Sequence, residues 1–312
     1  MSTKIRFLQA ATVFVAVCIG SAAAQAQEKF KSPDDAVAAL VAAARADSSR
    51  DLLKVLGADG RDILFSGDDV ADKKTRSDFL IAFDLKHQIV RKGDSAADLV
   101  IGPNDWQLPI PLMQKAGAWQ FDTTSGRREV LSRRIGRNEL SAIQTALAYV
   151  DAQNDYASIN PQGLKVDSYA QRIISSPGKK DGLYWPAAAN ETPSPLGEAF
   201  ALATIQGYRP GADATPYHGY YFKVLTGQGA NVPGGAMSYL VKGNLIGGFG
   251  LVAYPAEYGN SGVMTFIVNH SGVVFQKDLG PNTARVAQRM TAFDPDTTWR
   301  KVPDADLALA PK

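Results

Sequence analysis

Residues 133–157, RRIGRNELSAIQTALAYVDAQNDYA, decide how this chain is built. Leu140, Ile143, Leu147 and Val150 fall at i, i+3, i+7 and i+10, a single stripe along a helix. Ala142, Ala146 and Ala152 flank the stripe and permit close packing. Gln144, Asp151, Gln153 and Asp155 lie opposite and read as a solvated back. Asn138 and Glu139 stand where a helix start favours a cap and an acid. The spacing predicts a helix lying on a sheet; the chain on either side must say which sheet.

Upstream, the helices are already provided. Ser32-Pro33-Asp34-Asp35 is a start signal, with a capping hydroxyl, a proline suited to the first turn and two acids at the positive end of the dipole. Val37, Leu40, Val41 and Ala44 then share a face. A second helix runs through Leu52, Leu53 and Leu56 and stops at Gly57. A third, Asp72 to Lys86, is expected to bury Phe79, Leu80 and Phe83. The period becomes strand-like from Gln88. ADLVIGPNDWQLPIPLMQKAGAWQFDTT (97–124) holds two apolar runs around the compact turn Lys115-Ala116-Gly117. Pro109 and Pro111 imply an edge or interrupted strand.

Downstream, four β-rich runs have no helix of their own: YHGYYFKVLT (217–226), GGFGLVAYP (247–255), SGVMTFIVN (261–269) and GVVFQKDLG (272–280). His270-Ser271-Gly272 turns a hairpin. Tyr220, Phe222 and Val224 share one strand face, and Met264, Phe266 and Val268 share another. An apolar sheet face requires a cover. The helix near Glu139 is the nearest one, so it is read as opening a second module. Between them runs a connector, Ser158 to Pro216, with a short helix expected over Leu196 to Ile205 and a glycine-rich excursion over 226–244.

These motifs carry resemblances. RNELSAIQTALAYVDAQNDYA, YHGYYFKVLT, GGFGLVAYPAEYG and GVMTFIVNHSGVVFQKDLGP look like the bacterial family named domain of unknown function 2950, over almost all of the chain after its leader. The helix reading NE-SAI and the meander behind it also resemble the globular part of type IV pilins and pseudopilins. The prepilin cleavage site and long apolar N-terminal helix of those proteins are missing here. The helices and sheet ending GAWQFDT resemble a cystatin-like cone, a shape that often holds an apolar pocket. The expected fold is α+β: a leader over 1–26, a cystatin-like domain over 27–132, a pilin-like domain over 133–292 and a tail over 293–312.

MSTKIRFLQAATVFVAVCIGSAAAQAQ (1–27) has the basic start, short apolar core and A-x-A ending of a secretory signal peptide, cleaved after Ala26 or Ala24. Periplasmic or secreted placement follows, with no stable membrane span after cleavage. The only cysteine, Cys18, lies in that leader, so the exported chain has no disulfide or Cys-metal chemistry. Of 33 basic and 31 acidic residues, Lys4 and Arg6 belong to the leader, which leaves the rest balanced. Balance speaks against nucleic acid, whose binding needs clustered cations. The basic run Arg127 to Arg137 reads as a solvated helix entrance.

The search for chemistry assigns no catalytic, cofactor-binding or metal-ligating residue. His87, His218 and His270 are far apart and lack ligand spacing. No G-x-S-x-G elbow occurs, and Ser261 in GNSGVM lies between strands. GQGANVPGG lacks the ending of a phosphate cradle. Asp294 and Asp296 are spaced as calcium loops often are, but Trp299 and Ala305 stand where such a loop wants Gly and Glu. Asp68, Asp69 and Asp72 read as acids before a helix. The expectation is an exported non-enzymatic envelope binding or assembly protein with a possible envelope protein partner. The alternative is a small-molecule-binding or hydrolytic protein using a pocket of the first domain.

Overall fold

The computed structural model describes residues 26–188, 190–208 and 215–309. Residues 1–25, which hold nearly all of the expected leader, and 310–312 lie outside the described residues. The first module opens with α1 (Pro33–Arg45), α2 (Ser49–Leu56), α3 (Arg61–Leu64) and α4 (Asp69–Leu85). Ser32 caps α1 by accepting from the Asp35 amide at 3.1 Å. Gly57 ends α2 at φ 78°, a left-handed value that costs glycine little. The sheet follows as β1 (His87–Arg91), β2 (Ala96–Ile101), β3 (Trp106–Gln107), β4 (Leu112–Lys115) and β5 (Ala118–Phe121), all antiparallel. Pro109 and Pro111 fall in the gap between β3 and β4. Ala116 and Gly117, at φ 49° and 79°, make the tight β4–β5 turn.

The core between helices and sheet is filled. Val37, Leu40, Leu52, Val55 and Leu56 meet Leu99, Ile101, Leu112, Trp119 and Phe121. Helix α4 contributes less than its sequence promises. Phe79, Leu80 and Phe83 are only half-buried, and Asp72 is its one fully buried residue.

The quoted stretch belongs to α5 (Thr123–Ile159), one helix of 37 residues, so the boundary expected at 132/133 falls inside a continuous element. Nothing in 123–139 breaks it: there is no proline, and Gly126 earns its place by contact. A Cβ on Gly126 would stand 2.7 Å from the Ile110 backbone, which seats the first turns of α5 against the first module. Asn138 and Glu139, expected near a helix start, lie mid-helix.

From Ile143 onward α5 covers the second sheet. After the connector, with its parallel pair β6 (Arg172–Ile174) and β7 (Gly182–Tyr184) and helix α6 (Gly197–Ile205), come β8 (Tyr220–Leu225) and the short strands β9 (Gly227–Gln228), β10 (Met237–Ser238), β11 (Leu240–Val241) and β12 (Asn244–Leu245). Then follow β13 (Gly250–Pro255), β14 (Met264–Asn269), β15 (Phe275–Asp278), α7 (Thr283–Arg289), β16 (Ala292–Phe293), β17 (Arg300–Lys301) and α8 (Asp304–Leu309). The main sheet runs β17-β15-β14-β13-β8. Ile143, Ala146, Tyr149 and Val150 pack on Tyr220, Leu251, Ala253, Phe266 and Val268. The alternate residues Leu225, Val252, Tyr254 and Ile267 face Ala287 of α7 and Phe293. Both faces are therefore covered, which explains why these strands read as unbroken apolar runs.

Two expectations change here. Gln153, placed on the wet back of the helix, is 0% exposed. Its amide exchanges hydrogen bonds with the Ala170 N–H (2.8 Å) and C=O (2.9 Å), because the connector folds back over that side of α5. Residues 293–302, expected as the start of a tail, are woven into the second module: Phe293 pairs with β9, and buried Val302 donates to the Val274 carbonyl at 2.9 Å. The result is an α+β chain of two modules strung on one helix, the second with a core on each face of its sheet. No helix among the described residues is long and apolar enough to cross a membrane.

Candidate functional site

The densest polar constellation is the seam where the two modules meet. It grows from the loop Ser66-Gly67-Asp68, held between α3 and α4. Gly67 turns at φ 85° beside the Glu257 side chain. Asp68 is the N-cap of α4, accepting from the Ala71 amide at 3.0 Å. Its other oxygen crosses the seam and accepts from the Tyr208 hydroxyl at 2.8 Å and the Gly219 amide at 2.9 Å. One turn on, Asp72 accepts from the Ser66 amide at 2.9 Å. Burial raises the Asp72 pKa, with the Ser66 hydrogen bonds and the Arg134 charge opposing it.

Helix α5 supplies the other half. Arg134 donates to the Asp62 carbonyl (2.6 Å), the Asn260 side-chain oxygen (2.6 Å) and the Ile63 carbonyl. Asp62 and Ile63 belong to the last turn of α3, where carbonyls lack helical partners and a cation is favourable. Burial lowers the Arg134 pKa and neighbouring Asp72 opposes it. One turn later, Asn138 donates to the Ser261 carbonyl at 2.8 Å, and Glu139 accepts from the Val263 and Met264 amides at 2.9 and 3.0 Å. Asn260 returns to the first module by donating to the Phe65 carbonyl at 2.7 Å.

The seam gathers some residues singled out from sequence and passes over others. Asp68 and Asp72 are in it; Asp69 lies in the first turn of α4. His218 lies in it too, at φ 49°, with Tyr208 and Tyr217 rings 5.8 and 4.2 Å away. His87 stacks on Phe83 at 3.8 Å and His270 sits in its hairpin turn, so the three histidines stay apart. The Ser261 hydroxyl staples a turn, accepting from the Glu257 amide at 2.9 Å and donating to the Glu257 carbonyl at 3.2 Å. Asp294 accepts from the Asn231 amide at 2.9 Å and from its side chain at 3.0 Å, while Asp296 accepts from the Thr298 amide at 2.8 Å. Those bonds turn the two carboxylates to separate partners. No three His, Cys, Asp or Glu residues converge as a metal site among the described residues. Arg134, Tyr208, Glu139 and Asn260 were not foreseen. Only the i, i+4 spacing of Arg134 and Asn138 hinted at a shared polar face.

Comparison with known proteins adds one finding. The family model described as "Protein of unknown function (DUF2950)" matches residues 27–302. The chain belongs to that family. No curated protein and no solved structure matches it significantly. The matched span takes in both modules of this DUF2950 protein and the whole seam, and it ends at the buried Val302.

A cavity of about 570 Å³ opens beside the seam of the DUF2950 chain, lined among others by Asp72, Lys73, Arg76, Val70 and Gln206. It lies outside the helix–sheet core, between α2, α4 and the end of α6. Within the seam itself Asp68, Arg134, Asn138, Glu139 and Asn260 are all hydrogen-bonded: the Tyr208 hydroxyl donates to Asp68, and burial with that carboxylate pushes the tyrosine pKa up. Such an arrangement suits a latch between two bodies.

The latch has a pH signature. Burial lowers the His218 pKa below its ordinary 6.5, with Asp68 opposing. A histidine held neutral stabilises the fold fully above its unfolded-state pKa, and that contribution fades as pH falls toward the lowered folded value. Asp72, raised in the fold, has the opposite sign and gains as pH falls toward 3.8. The denaturation midpoint of the native protein should therefore drop between about pH 7.5 and 5.5, and His218→Asn should flatten that drop. Asparagine tolerates the left-handed backbone there. Equal slopes for both proteins would show that His218 does not titrate across the seam.

Proposed function

We propose that this protein is an exported, non-enzymatic binding or assembly protein of the cell envelope, periplasmic or secreted. The carrying observation is the outward face of α4, where Ile81 and Leu85 are 57% and 70% exposed one turn apart. Trp106, 43% exposed, lies on the same module, across β2 from His87. Exposed apolar side chains one turn apart on a helix offer a contact face for another protein. The closed hydrogen bonding of the seam supports a structural role for its polar groups. Helices packed on an antiparallel sheet support the cystatin-like reading of the first module, and a helix over a meander supports the pilin-like reading of the second.

Capture from an envelope extract tests this. The native protein should retain a partner that the Ile81→Glu, Leu85→Glu double variant loses about tenfold or more, since buried anchors dominate binding energy. Identical capture by both would sink the reading for this face. The cavity beside Asp72 favours a second reading, small-molecule binding or hydrolysis by the first module.

A further inference from the structure

We propose that Gln27 is the first residue of the exported chain and that its side chain is a peg that keeps this end from cyclising. The proposal rests on the export reading above. Its geometry is independent of that reading. Ala26 is exposed, and Gln27 behind it is half-buried. The Gln27 Nε2 donates both hydrogens inward, to the Val55 carbonyl at 3.0 Å and the Phe121 carbonyl at 2.8 Å. Gln120 donates to the Gln27 carbonyl at 3.3 Å, the Glu28 amide donates to the Lys54 carbonyl at 2.8 Å, and Phe30 bridges to Trp119. The seat is shaped for this side chain. A Cβ on Gly57 would stand 3.3 Å from both Cβ and Cδ of Gln27, and that glycine also needs its positive φ.

Ala24-Gln25-Ala26 supplies the small residues a signal peptidase reads just before its cut. Cleavage after Ala26 frees an amine on Gln27. Ala26 and Gln27 border a pocket of about 280 Å³ whose charged groups are Asp59, Asp122 and Lys115. Lys115 lies 3.8 Å from Asp122, and Asp59 accepts from the Thr124 hydroxyl at 2.6 Å, so the new ammonium enters a pocket with two carboxylates and one cation.

An N-terminal glutamine is chemically self-reactive. Its unprotonated α-amine attacks its own Cδ, a C–N bond closes a five-membered lactam, the Cδ–Nε2 bond breaks, and ammonia leaves with the amine's proton. In this fold the departing Nε2 is hydrogen-bonded to two carbonyls from different elements. Cyclisation therefore requires the peg to withdraw first.

The test is intact-mass measurement on the full chain, expressed with its own leader in an exporting bacterial host and recovered after release. The expected product spans 27–312 with its ammonia retained. Held unfolded in denaturant at neutral pH, the same product should lose one ammonia about tenfold or more faster than the folded protein. Equal rates would overturn the peg. A product starting at Gln25 would overturn the assignment of Gln27 while leaving export standing, and a product retaining Met1 would overturn the export reading itself.

Discussion

Replacing Arg134 by methionine should destabilise the protein by about 3 kcal/mol and loosen the two modules from each other. Among the described residues, the guanidinium is the only group of α5 that bonds both bodies at once, through Asp62 and Ile63 on one side and Asn260 on the other. Charged hydrogen bonds contribute about 1.5–3 kcal/mol each, and water can replace part of that because the residue is not fully enclosed. Methionine matches the stem and leaves three acceptors unpaired. It also removes the positive charge that opposes the raised pKa of Asp72, so the variant should bind an extra proton there at higher pH than the native protein does. Arg134→Lys should fall between the two, since an ammonium keeps the charge but lacks the planar fork. Tryptophan emission can follow each body: Trp106 and Trp119 lie in the first, Trp185 and Trp299 in the second. One shared transition in the native protein should split into two in Arg134→Met. A midpoint within about 0.5 kcal/mol of native, with a single transition, would show that the seam does not couple the modules.

The same residue shows where sequence reasoning reaches its limit. The helix stripe, the strand runs, the hairpin at His270 and the caps at Ser32 and Gly57 all depend on short-range chemistry, and each was legible. The continuity of α5 was not. A helix serving two modules carries one apolar stripe for the second sheet and a different, largely polar face for the first, so the apolar period is visible only from Leu140. Arg134 in a run of arginines has no local mark that separates it from its solvated neighbours. Its acceptors lie 71, 72 and 126 residues away in sequence. Asp68 has a local reading, helix capping, that is correct and hides its second bond to Tyr208, 140 residues on. Polar partners joined across a seam are set by tertiary closure, which composition and spacing do not encode.

Gln153→Leu makes the complementary case within one module and should cost about 3–5 kcal/mol. The native amide acts as a replacement strand for Ala170: it accepts from that residue's N–H at 2.8 Å and donates to its C=O at 2.9 Å, while also donating to the Tyr149 hydroxyl at 2.9 Å. Both Ala170 and Gln153 are 0% exposed, so no water takes over when the amide goes. Leucine fills much of the volume, which isolates the polar loss: two buried backbone groups, each costing about 1–3 kcal/mol unpaired, plus one partner of Tyr149. Tyr149 keeps its bond to the Gly250 carbonyl at 3.0 Å, which limits the damage on that side. Gln153→Glu separates hydrogen bonding from shape. Its carboxylate can still accept from Ala170 but faces that residue's carbonyl, so burial should raise its pKa and the variant should be more stable near pH 5 than near pH 8. Amide exchange at Ala170 gives the local readout, since the N–H loses its acceptor in Gln153→Leu and keeps one in Gln153→Glu. Exchange as slow in Gln153→Leu as in the native protein would mean that the Gln153 amide does not protect the Ala170 N–H, leaving Tyr156, which meets Trp185 at 6.3 Å between ring centres, to hold the connector on α5.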